Sequence, residues 1–267
     1  MLLLLKLILV PLLVASASVA ERRWGPRVAG LLTSFPIVTG PILFFFSMEQ
    51  GDVFTAEAAR GALVALVAVA ASGLAYAWAS VGTPWWISLP ASWATFTVCT
   101  LALHGQTLAA PWALVTALAS FVLVGALLPI PRGARTRVAR SRWDLPLRTL
   151  SAMVVVVSVT GLGRRLGPSL SGAFTPFPVA LGVLLAFTHA QQGSSSAIQF
   201  MRGFLPGMWS FAAFCFVAAL TVVPLGGVLG LLVALAAVIP IQAVALWWMQ
   251  RRVALAGTVD DPRPTLP

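Results

Sequence analysis

The chain is poor in charge, and poorest in acid. Its 267 residues include seven Asp or Glu against seventeen Lys or Arg, and charged residues of both signs make up 9% of the total. Soluble domains carry about a quarter of their residues as charges, so a surface facing water on all sides is excluded. The two cysteines, Cys99 and Cys215, fall in separate apolar runs. That excludes a disulfide framework and a cysteine-bound zinc, and both read as small buried hydrophobes. The two histidines, His104 and His189, stand far apart. With no nucleophile motif, phosphate-binding glycine loop or metal-ligand spacing either, the chain is not read as an enzyme, and no cofactor or metal is expected. No acid lies in the middle of an apolar run, where such a group usually marks ion coupling.

What the chain has in excess is apolar sequence, 59% of all residues. It comes in successive stretches of the length, about 20 residues, that crosses a bilayer as a helix. Nine spans are expected, at about 2–20, 28–48, 57–80, 85–104, 109–130, 145–163, 169–190, 203–223 and 226–249. The fold class is therefore an all-α polytopic membrane protein. The first run resembles a signal peptide, but Lys6 interrupts it and Arg22-Arg23 follow directly. Segment 144–162 occupies the matching place later in the chain, so 1–20 is read as a transmembrane helix.

Residues 22–61 recur as 164–203 at a constant offset of 142, with 15 of 40 positions identical; chance in a chain of this composition gives roughly three. The shared residues are mostly Gly, Pro, Gln and Arg, including Phe35-Pro36 with Phe177-Pro178, Gln50-Gly51 with Gln192-Gly193, and Arg60-Gly61 with Arg202-Gly203. The expected organisation is a first four-helix repeat over 1–108 and a linker helix with a basic loop over 109–148. A second four-helix repeat covers 149–250, and a disordered tail 251–267. Five crossings between equivalent positions put the second repeat in the membrane upside down, an arrangement typical of transporters.

The net charge of +10 raises nucleic acid as a partner, but its placement argues against that. With nine spans, the basic loop 132–148, Arg22, Arg23, Arg27, Arg202 and Arg251-Arg252 share one side, while Glu49, Asp52 and Glu57 lie on the other. The positive-inside rule then places the N-terminus outside and the C-terminus in the cytoplasm of a bacterial-type inner membrane. Expected partners are membrane lipids, a small-molecule substrate and, as an oligomeric state left open, a second copy in a homodimer; no nucleic acid is expected.

The second repeat carries Gly172, Pro176-Phe177-Pro178, a polar turn at Gly193 and Gly207-Met208-Trp209-Ser210. In these features it resembles the small GlpM-like inner-membrane proteins, whose single unit has four helices. The first repeat keeps Gly30, Phe35-Pro36 and Gly51 but has Ala65-Leu66-Val67-Ala68 in place of the last motif. The resemblance implies an architecture, a tandem inverted duplication, and no particular activity. The plan also resembles the drug/metabolite exporters, by architecture alone.

The candidate site lies at the two proline-interrupted spans, because proline removes a donor and frees a carbonyl inside the helix. Thr33, Pro36 and Thr39 in one repeat and Thr175 and Pro178 in the other are the candidate substrate-binding residues. The alternative is a pair of ordinary kinks in which each threonine satisfies its own helix. Arg60 and Arg202, each with glycine at the start of the following helix, are candidates for the site mouth, although Glu57 can also pair with Arg60 three residues on. Glu49 and His189, which replace Gln191 and Ser47 of the opposite repeats, are candidate proton-relay groups. The function expected is a secondary transporter or exporter of a small molecule or amphiphile; the alternative is a non-transporting membrane accessory of envelope or lipid biosynthesis.

Overall fold

A computed structural model describes residues 2–103, 105, 108–131, 144–165 and 178–257. Everything described is helix or short connection, with no strand among the described residues. Ten helices follow in order: α1 (Leu2–Trp24), α2 (Pro26–Thr33), α3 (Thr39–Gln50), α4 (Asp52–Gly82), α5 (Trp85–Leu103), α6 (Ala110–Leu127), α7 (Asp144–Arg165), α8 (Val179–Gln192), α9 (Ser194–Leu225) and α10 (Gly227–Gly257). Five of them, α4, α5, α6, α9 and α10, are long and apolar enough to cross a membrane by length and composition.

The boundaries follow from local chemistry. The expected span at 28–48 is two helices, α2 and α3, separated at 34–38, where Pro36 has no N–H to give. Gly51 ends α3 and Gly193 ends α8, with φ of 86° and 82° and ψ near 170°, a backbone region open to glycine almost alone. Each makes a one-residue corner, so α4 begins at once at Asp52 and α9 at Ser194. This corrects the expected starts at 57 and 203. Arg60 and Arg202 consequently sit two turns inside their helices instead of at the first turn. At the other margin, α10 is helical through Gly257, so residues 251–257 are not the expected disordered tail. The same offset of 142 links the starts of α4 and α9 and of α5 and α10.

Long helices α4 and α9 pack together at the centre, with α5 against α4 and α10 against α9. Packing across the two halves is reciprocal: α5 lies on α8, and α10 lies on α3. Buried Leu63, Leu66, Tyr76, Phe200, Met201 and Phe214 fill the space between them. Hydrogen bonds fix which helix ends meet. Trp78 near the end of α4 donates to the Leu127 carbonyl at the end of α6 (2.9 Å), and Tyr76 meets His189 in the last turn of α8 (3.4 Å). At the opposite end Ser47 of α3 bonds Asp52 of α4, and both lie against Gly227 at the start of α10.

α2 and α9 meet backbone to backbone. A methyl group on Gly203 would overlap the Arg27 carbonyl, and one on Gly30 would overlap the backbone of Phe200 and Phe204. Gly203 and Gly207 are four apart, the small-residue spacing that lets apolar helices touch backbone to backbone. Gly61, the repeat counterpart of Gly203, faces open space. The two glycines therefore predict opposite outcomes. In thermal unfolding in detergent, Gly203→Ala should destabilise by about 1–3 kcal/mol through overpacking. Gly61→Ala should be neutral, or stabilising by up to about 1 kcal/mol through helix propensity.

Candidate functional site

The interruption between α2 and α3 leaves backbone groups without helical partners, and the structure shows where they go. The Phe35 N–H turns back to the Leu32 carbonyl (3.2 Å) and the Gly40 N–H reaches the Pro36 carbonyl (2.9 Å). The freed Leu31 carbonyl accepts from the Ser34 hydroxyl (2.6 Å) and from the Gln242 side-chain amide of α10 (3.0 Å). Gln242 also accepts from the Ser210 hydroxyl at 2.7 Å. Gly207 makes room here: any side chain on it would overlap Ser34. Gly207 and Ser210 thus join α9 and α10 to the broken segment, which gives two residues of the Gly-Met-Trp-Ser stretch a physical task.

Thr33 is buried and its hydroxyl donates to the Ala29 carbonyl of its own helix (2.7 Å). Pro36 is buried and Thr39 half-buried. Pro178 is buried at the start of α8, and its carbonyl accepts from the Gly182 N–H at 2.9 Å, the same bond as Gly40 to Pro36 one repeat earlier. Thr175 lies outside the described residues, as does His104. Arg60 pairs with Glu57 at 3.5 Å on an exposed face. Arg202 reaches the carbonyls of Leu128 (3.4 Å) and Pro129 (3.3 Å), so it caps the end of α6; a cation there also opposes the negative end of the helix dipole. Glu49 is exposed in the last turn of α3, while His189 is half-buried beside Tyr76.

A group that the sequence reading did not single out is the most concentrated polar chemistry among the described residues. Where α1 ends, α7 begins and α8 ends, Glu21, Asp144 and Arg148 are each 4% exposed or less. Arg148, counted with the basic loop but also inside the expected 145–163 span, lies in α7, one turn after Asp144. Its guanidinium is fully engaged. One nitrogen donates to Glu21 Oε2 (2.6 Å), Nε to Asp144 Oδ1 (2.9 Å) and the third to Gln191 Oε1 (2.9 Å), with the Phe187 ring 5.4 Å away. Glu21 Oε1 accepts from Thr188 (2.8 Å) and Gln192 (2.7 Å). Asp144 accepts further from Gln191 and from Arg22 (2.9 Å). Two carboxylates and two arginines balance in charge.

Taking such charges out of water costs several kcal/mol per ion, which is tolerable only when each is paired and hydrogen-bonded, as here. Burial pushes the Asp144 carboxyl up, but the Gln191 amide, Arg148 and Arg22 pull harder, so it is held below the usual carboxylate range. Part of this group was legible beforehand, since Asp144 and Arg148 stand four apart on one helix face. Glu21 was not, because its partners lie 127 to 171 residues away. No cluster of three or more His, Cys, Asp or Glu suited to a metal occurs among the described residues. Comparison with protein-family models, curated proteins and solved structures gives no match.

Arg148→Ala should strand two buried carboxylates and cost about 3–5 kcal/mol, whereas Arg60→Ala, at an exposed pair, should cost about 1 kcal/mol or less. Thermal unfolding of the two variants measures the difference. A depressed carboxyl stabilises the fold above its unfolded value, about 3.9, and that contribution disappears as pH falls through the folded value. Asp144→Asn should therefore flatten the acid limb of stability below about pH 4.

Proposed function

We propose that the chain is a membrane-embedded secondary transporter or exporter of a small molecule or amphiphile. On this reading it is two inverted GlpM-like repeats joined by α6, crossing the bilayer nine times and opening alternately to each side. Support comes from the helix starts that recur at one offset and from the reciprocal packing of α5 on α8 and α10 on α3. On this reading the basic segment preceding α7 is cytoplasmic by the positive-inside rule, which puts the Glu21–Arg148 cluster at the same end, with the N-terminus outside and the C-terminus inside.

One observation carries the reading. Gln191 and Gln192 are tied into the ionic cluster, while their repeat counterparts Glu49 and Gln50 are both exposed. Equivalent positions are knotted at one end of the molecule and open at the other. Two halves that share a backbone plan but differ in this way match a transporter closed at its cytoplasmic end. The cluster ties α1 of the first repeat to α7 and α8 of the second, so it acts as the gate.

The test uses a chain with Cys99 and Cys215 replaced by Ala. Screened in detergent over small metabolites and amphiphiles, it should yield a compound that raises Tm saturably. That compound should exchange across proteoliposomes by counterflow and slow maleimide labelling of Gln50→Cys. A compound that raises Tm but neither exchanges nor alters labelling would assign a non-transporting membrane role instead.

A further inference from the structure

The two carboxylates of the cluster differ in what surrounds them, and the difference bears on how the gate is released. Asp144 is held by Arg148, Arg22 and the Gln191 amide nitrogen. These groups donate only, so a protonated Asp144 would have no acceptor for its hydrogen in this arrangement and would lose two ion pairs. Glu21 is held by one arginine, Arg148, together with the Gln192 amide and the Thr188 hydroxyl. A hydroxyl is both donor and acceptor. Thr188 can rotate to accept a hydrogen from a neutral Glu21, at the loss of one ion pair.

Of the other charged or titratable groups described on α1 and the elements packed against it, Arg23 is exposed and the rest are occupied or distant. Arg27 of α2 has its own interactions, His189 of α8 meets Tyr76, and Glu49 is exposed in the last turn of α3, at the opposite end of the bundle. On its own helix, Arg22 is engaged by Asp144.

We infer that Glu21 is a proton-binding site whose protonation removes its ion pair with Arg148 and so loosens α1 from α7, leaving Arg22–Asp144 as the remaining ionic tie between them, and that a proton is thereby the coupling ligand of the gate. The proton adds to Glu21 Oε1, its hydrogen passes to the Thr188 oxygen as a hydrogen bond, and Arg148 keeps its bonds to Asp144 and Gln191. The inference rests on the gating reading above and deepens it.

Ser18, one turn before Glu21 on α1, is 1% exposed and gives a reporter at the gate. In the chain lacking Cys99 and Cys215, Ser18→Cys is labelled with a maleimide in proteoliposomes between about pH 8 and pH 5, with rates corrected for the reagent's own pH dependence. One proton bound on opening raises the rate by up to about tenfold per pH unit. Glu21→Gln should label faster than the wild type and independently of pH, and Arg60→Ala, at the exposed pair outside the cluster, should keep the slope. A flat wild-type profile beside fast labelling of Glu21→Gln would overturn the proton site and leave the gate standing. Folded Glu21→Gln that stays unlabelled would overturn the gate, and the transport reading with it. A slope that survives in Glu21→Gln, or vanishes in Arg60→Ala, would move the proton elsewhere and overturn the assignment. Should Glu21→Gln fail to fold, infrared difference spectra of the wild type decide. Acid should bring up the carbonyl band of a protonated carboxyl, shifted in Thr188→Val, where the acceptor is gone; no such band, or one indifferent to Thr188, overturns the proposal.

Discussion

A polar group inside this molecule is costly unless another part of the chain satisfies it, because the surroundings are almost wholly apolar, and few, such as the Thr100 hydroxyl, lack a partner among the described residues. That constraint decides the two features on which the rest depends. At the break between α2 and α3 the freed Leu31 carbonyl is met by Gln242, reaching from α10, and Gln242 in turn fixes Ser210 of α9. At the end of the bundle Arg148 is met by Glu21, Asp144 and Gln191 from three helices. An unpaired carbonyl or charge in such a place costs far more than its bonds gain on net. The partners therefore hold the helices in register more strictly than shapeless apolar contact could.

Much of the backbone plan could be read from sequence, because the residues that shape it act locally. Proline at 36 interrupts its own helix, and the Gln-Gly pairs end α3 and α8 where glycine alone tolerates the corner. The starts of α4 and α9 were misplaced for a physical reason. Hydropathy reports which residues suit lipid, and the first turns of both helices, Asp52–Arg60 and Ser194–Arg202, are polar yet helical. Nothing in a hydropathy run distinguishes a polar loop from a polar helix end.

The ionic cluster escaped for the opposite reason, being made of long-range pairs. Only Asp144 with Arg148 is local; Arg22 finds Asp144 across 122 residues and Glu21 finds Thr188 across 167. Charge counting read Arg22 and Arg148 as topology anchors, and left their acidic partners unassigned. Gln242 was invisible in the same way, a lone amide in an apolar helix whose partner, a backbone carbonyl, carries no sequence signature at all. The exposed Glu57–Arg60 pair, by contrast, was offered by i,i+3 spacing as the alternative to a site-mouth role for Arg60, and the two side chains do pair.

The two repeats have kept the backbone devices and diverged in polar chemistry. Gly51 and Gly193 turn the chain alike, and Pro36 and Pro178 accept the same bond. Yet Gly203 lies against a backbone where Gly61 faces open space. Gln242 holds a carbonyl where its counterpart Thr100 is 7% exposed with no partner among the described residues. Gln191 sits in an ionic cluster where Glu49 is exposed. Halves that differ in this way cannot present two ends of equal free energy. If they exchange conformations, the exchange starts from a biased equilibrium, and a ligand or proton shifts it only through different affinities for the two states. The bias is set by the polar contacts that one repeat has and the other lacks, and here they gather at the end where α1, α7 and α8 meet.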